Sequence, residues 1–192
     1  MAYSGPVADP RRLALAAQVL IAVQTAAQLA LAAAGGTGSK LFAQFAPLSL
    51  LLFAATVVAF LCWFRRCRLN AERFAPGTHR YSAGFAVGAW FIPVAMWWIP
   101  RRMALDVWRA NPPAGGAWVV DAWWAAWLAK TVGGAIAVRF VGGPVGYSLY
   151  DEVVGVAAAV LAILVIRQVT ARQDAAVRAD LAAVPFTRVS AL

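Results

Sequence analysis

The chain has 192 residues, 62% of them hydrophobic and only 13% charged, with 17 Lys and Arg against 8 Asp and Glu for a net charge of +9. So little charge cannot solvate the surface of a soluble domain this size, and it leaves no room for a separate soluble enzyme domain. The basic residues sit beside the ends of apolar runs, as the positive-inside bias and attraction to anionic lipids require, which argues against a nucleic-acid partner.

The N-terminal tail ends in Asp9-Pro10, a helix start with Pro at the first helical position, followed by Arg11 and Arg12. The first apolar run, residues 13–34, exceeds the about 7–15 residues of a signal-peptide core, so it reads as a retained span. Gln18, Thr25 and Gln28 share one face of it and are expected to turn toward other helices. A glycine-rich turn leads to a second span, 41–64, with Pro47 near its start and Trp63 at its end as an interfacial anchor. Each run approaches the roughly 20 residues that a helix needs to cross hydrocarbon.

Arg65, Arg66, Arg68, Arg73 and Arg80 then read as a basic loop whose expected partners are the anionic head groups of membrane lipids. Cys62 and Cys67 read as unpaired thiols at a cytoplasmic helix end. Residues 83–111 are interrupted by Pro93 and Pro100 and end in a short amphipathic helix from Met103, stopped by Asn111-Pro112-Pro113. A third span, 117–138, holds Asp121, Lys130 and four tryptophans. The turn Gly142-Gly143-Pro144 and Tyr147 precede the last span, 148–166, and the tail 167–192 is polar.

Charge decides how residues 83–111 lie. If they return to the side they left, 14 basic residues share one face of the membrane against Lys40 and Arg139 on the other; if they cross, the count is eight against eight. The positive-inside rule selects the first. The expected architecture is therefore a single all-α membrane domain. It has four transmembrane helices plus a Pro-broken re-entrant or interfacial segment, and both termini are cytoplasmic in a bacterial cytoplasmic membrane.

From Trp63 to Trp127 the order and spacing of residues follow a pattern: Trp63, Arg66, Arg68, Asn70-Ala71, Arg80, Trp90-Phe91-Ile92-Pro93, Pro100, Trp108-Arg109-Ala110 and Trp123-Trp124-Ala125-Ala126-Trp127. This resembles a family of small multipass membrane proteins from actinobacteria, domain of unknown function 4328. The resemblance implies membrane location and architecture but supplies no reaction. The chain departs from the family by lacking a Pro after Ser82 and by carrying Ala95-Met96-Trp97-Trp98 where the family has an Asn.

Charges inside spans cost about 2.5–3.5 kcal/mol each on insertion scales, so each needs a reason. Lys130 is placed to pair with Asp151 or Glu152 at the start of the last span. Asp121 either pairs with Arg101, Arg102 or Arg109, or lies desolvated among aromatics as a proton donor. Trp90, Trp97, Trp98, Trp123, Trp124 and Trp127 exceed what interfacial belts need, and Phe91 joins them. They are expected to line a cavity for an apolar, isoprenoid-type ligand, with Asp121, Asp151 or Glu152 as the acid of a terpene-type cyclase. The alternative is a non-catalytic scaffold or accessory subunit. His79 alone builds neither a metal site nor a catalytic triad, no Walker loop is present, and no cofactor is expected.

Overall fold

The computed structural model describes residues 7–110, 116–141 and 148–183; the turns read at 111–113 and 142–144, Tyr147 and the chain beyond 183 lie outside them. Among the described residues every regular element is helical, with no strand. Helix α1 spans Arg11–Ala33 and α2 Lys40–Phe74, begun by Ser39, whose hydroxyl accepts the Phe42 N–H at 3.0 Å. A single turn, α3, covers Phe85–Gly88, and α4 covers Ile99–Arg109 with Pro100 in its first turn. Helix α5, Trp118–Leu128, runs through a π-turn at Ala129–Gly133 into α6, Gly134–Val141, and α7 is Leu149–Ala183. Among the described residues three helices are long and apolar enough to cross a membrane: Arg11–Ala33, Lys40–Phe74 and Leu149–Arg178.

Two helices run further than their apolar stretches. The arginines of 65–73 stand on α2 and not in a loop, because Trp63, Phe64, Cys67, Asn70 and Ala71 recur at helical spacing and bury one face. Helix α7 likewise continues through the polar tail, where Val165, Ile166, Val169, Thr170 and Gln173 form its buried stripe. On the polar face of α1 two side chains bond the helix's own backbone. Gln18 donates to Ala14 O at 3.1 Å and Thr25 to Ile21 O at 2.8 Å, both within α1.

The N-terminal segment, the end of α2 and the second half of α7 meet at one end of the bundle. Arg11 pairs with Asp174 at 2.6 Å, and Asn70 bonds both Ala8 and Gln173. The stretch between α2 and α5 starts and finishes at this same end. At its start, Arg68 Nη2 donates to Tyr81 O at 2.6 Å. It then follows α2 inward until Trp90 lies against Phe60, about 12 Å along the helix from Arg68. Trp97 reaches Trp127 on α5, and the chain turns back so that Arg101 meets Asp121 and Trp108 lies under Arg172.

Reversal happens at Val94, whose φ of 71° and ψ of −55° with a 2.8 Å bond from Ala95 N to Pro93 O make the rarer, strained form of γ-turn. The N–H groups of Trp90, Phe91, Ala95, Met96, Trp97 and Trp98 all find carbonyls nearby in the chain, and Pro93 has none to satisfy.

Candidate functional site

Aromatic rings build the centre of the molecule. Trp90 touches Phe60 and Phe64 of α2 and Trp123, Trp124 and Trp127 of α5, with ring centroids 5.6–6.5 Å apart. Trp124 stacks on Trp127 at 4.7 Å, and Trp97 closes on Trp127 at 5.9 Å. Edge-to-face and offset contacts of this kind are the preferred geometry of aromatic pairs.

Five of the seven rings expected to line a cavity therefore do converge: Trp90, Trp97, Trp123, Trp124 and Trp127. They pack ring against ring, and only Trp123 of the five lines the small void beside them. The void among Phe60, Trp63, Phe64, Ala104, Val107, Trp123, Val165 and Val169 is about 10 Å³, no more than one water's worth. Phe91 and Trp98 stand outside the cluster, 68% and 43% exposed, because they flank the reversal at Val94. Phe60 and Phe64 went unread as partners since they look like ordinary lipid-facing residues of a span.

The carboxylates stand apart from the rings. Asp121 lies on the outer face of the first turn of α5, its side chain 48% exposed, and takes a 2.7 Å ion pair from Arg101. Of the two alternatives for it, pairing is the one realised. Asp151 is 3% exposed and accepts from Ser148 Oγ at 2.6 Å; Lys130 donates to its carbonyl at 3.0 Å and to its carboxylate at 3.4 Å. Lys130 stands in the π-turn, and Tyr150 donates its hydroxyl to Ala129 O at 2.7 Å in the same turn. A Cβ on Gly133 would overlap that hydroxyl, and one on Gly134 would press on Asp151, so the two glycines let α7 approach. Glu152, beside Asp151, is half-buried.

The basic end of the bundle carries a polar cluster that the sequence reading missed. Asn70 Nδ2 donates to Ala8 O at 2.9 Å and to Gln173 Oε1 at 3.0 Å, while Ala8 N–H donates back to Asn70 Oδ1 at 3.2 Å. Gln173 Nε2 donates to Cys67 O at 2.8 Å, and Trp63 Nε1 to Thr170 Oγ1 at 3.1 Å. The signal was the spacing of Ile166, Val169, Thr170 and Gln173, one helical face running on into a polar tail.

Among the arginines expected to meet head groups, Arg68 is turned inward. It is 2% exposed and bonds Glu72 at 2.7 Å and Tyr81 O at 2.6 Å. Arg65, Arg73 and Arg80 are exposed, and Arg66 is half-buried. Cys62 and Cys67 are free thiols, the second fully buried.

Long apolar helices joined through a tryptophan-rich core define an all-helical membrane protein. Residues 9–171 match the family described as Domain of unknown function (DUF4328), and the chain belongs to it. No curated protein and no solved structure matches the chain.

Proposed function

We propose that the protein is a non-catalytic scaffold or accessory subunit of a bacterial cytoplasmic membrane, with four spans and both termini cytoplasmic. The fourth span is the helical run of α5, the π-turn and α6. The stretch 83–98 is a re-entrant wedge, braced from within by the tryptophans. Most of its N–H groups bond carbonyls within or next to the same stretch, which supports that reading, since a segment entering hydrocarbon must satisfy its own backbone. Arg65, Arg66, Arg73 and Arg80 face the head groups of the cytoplasmic leaflet in this arrangement.

One observation carries the choice of scaffold over cyclase. The tryptophans that would line a pocket for an isoprenoid chain pack on one another instead, and the void beside Trp123 is about 10 Å³. A cyclase also needs its acid at the substrate, whereas Asp121 is ion-paired at the surface and Asp151 is held by Lys130 and Ser148.

The test compares lipid extracts of cells without the protein, with it, and with Asp121→Asn, Asp151→Asn or Glu152→Gln. The scaffold reading expects one extract profile throughout. A new isoprenoid product that disappears with any one of the three acids would overturn it.

A further inference from the structure

Three exposed side chains, Trp98, Arg102 and Trp118, and one ion pair gather where α4 and α5 begin. The Arg101–Asp121 pair ties the two first turns together, Arg101 Nε lying 3.0 Å and Nη2 2.7 Å from the same carboxylate oxygen. Three residues before Arg101 stands Trp98, and three before Asp121 stands Trp118, 66% exposed. Trp118 and Asp121 are three apart on α5, so the Trp118 ring flanks the pair, and Trp98 stands at the N-cap of α4, directly before the turn that carries Arg101. Arg102 is exposed beside it, and Phe91, Ile92 and Val94 are exposed at the adjoining tip. Large apolar groups left bare around a cation mark an interaction surface, and here the internal pair cancels itself and leaves Arg102 as the net positive charge.

We infer that this patch binds a single anionic phospholipid of the cytoplasmic leaflet. The phosphate meets Arg102 and the outer edge of Arg101. Trp98 and Trp118 sit at the glycerol level, where amphipathic rings prefer to lie, and the acyl chains run along Phe91, Ile92 and Val94. This rests on the orientation proposed above, and it assigns the lipid contact to residues outside the basic stretch 65–80. A patch of net charge one complements a head group of opposite unit charge and prefers it to a zwitterionic one.

The experiment reconstitutes the whole protein in bilayers of equal phosphatidylglycerol and phosphatidylcholine, extracts it gently, and measures which lipids stay bound. Wild type is expected to keep phosphatidylglycerol in preference, and Arg102→Gln to lower the retained ratio at least threefold. Trp98→Ala with Trp118→Ala should lower the retention of both lipids. Arg109→Gln, about 10 Å further along α4 at its other end, should match wild type. An Arg102→Gln ratio equal to wild type, in protein with unchanged melting temperature, overturns the inference. So does displacement of the lipid by millimolar inorganic phosphate, which would make the patch a free-anion site. Neither result bears on the extract comparison that tests the scaffold reading.

Discussion

Asn70 on α2 and Gln173 on α7 are each 1% exposed and share a hydrogen bond of 3.0 Å. With the Ala8 backbone and Cys67 O they form a closed set, in which every bond depends on three separate parts of the chain holding their places. Asn70→Ala strips partners from Ala8 N–H and from Gln173, and a buried group left unpaired costs about 1–3 kcal/mol. A melting temperature in detergent that falls clearly, with faster proteolysis before Arg11, is the expected outcome. An unchanged melting temperature would mean that water replaces the amide freely.

Trp90 and Trp98 are eight positions apart in one segment and should behave oppositely. Trp90 sits among five rings, so Trp90→Ala opens a hole and is expected to cost about 3–5 kcal/mol. Trp98 is exposed, and Trp98→Ala should leave thermal stability in detergent nearly unchanged. Equal losses would contradict the packing described.

Gly133→Ala places a methyl group on the Tyr150 hydroxyl. Overpacking of this kind costs about 1–3 kcal/mol. Tyr150→Phe in the same chain removes the overlapping oxygen and should recover part of the loss. Two strictly additive substitutions would show that the residues do not meet.

Lys130 and Asp151 form a largely buried pair. Breaking one side of such a pair leaves an uncompensated charge and costs about 3–5 kcal/mol, whereas removing both can be nearly neutral. Lys130→Met should therefore lower stability more than Lys130→Met combined with Asp151→Asn. Thermal denaturation of both variants in one detergent measures the difference, and a double variant worse than the single would reverse this account.

Glu72 lies beyond the apolar run 41–64 of α2. Burial alone would raise its carboxyl. The Arg68 hydrogen bond, the Gly77 N–H and the charges of Arg68 and His79 outweigh that and hold it below its ordinary 4.5. A value lower in the folded chain than in the unfolded one stabilises fully above 4.5 and is lost as pH falls through the folded value. The melting-temperature gap between wild type and Glu72→Gln should be widest near neutral pH and close in acid. A gap independent of pH would remove the Arg68 pair as its cause.

Three of the four expected spans reappear as long apolar helices, because hydrocarbon imposes a length and a composition that no other constraint mimics. The run 13–34 became Arg11–Ala33 almost unchanged. What the sequence concealed was helix outside hydrocarbon. Arg65, Arg66 and Arg68 in close succession look like a loop, and only the interleaved Cys67, Asn70 and Ala71 disclose a buried stripe. The tryptophans were legible as too numerous for belts, but number does not distinguish a lined cavity from a filled one. That depends on Phe60 and Phe64 turning inward, which residue type alone does not decide. The π-turn left no mark beyond the paired glycines Gly133 and Gly134, since a helix one residue wider has no sequence period of its own.

Helices α2 and α7, at 35 residues each, measure about 52 Å, while a bilayer's hydrocarbon is about 30 Å thick. In the proposed orientation the parts of α2 and α7 beyond residues 64 and 166 stand about 15 and 25 Å above the cytoplasmic surface, braced by α4 and the N-terminal segment into one stalk. Whatever engages its top, a neighbouring subunit or a fused reporter, is held about two nanometres from the lipid and turns only when the embedded bundle turns.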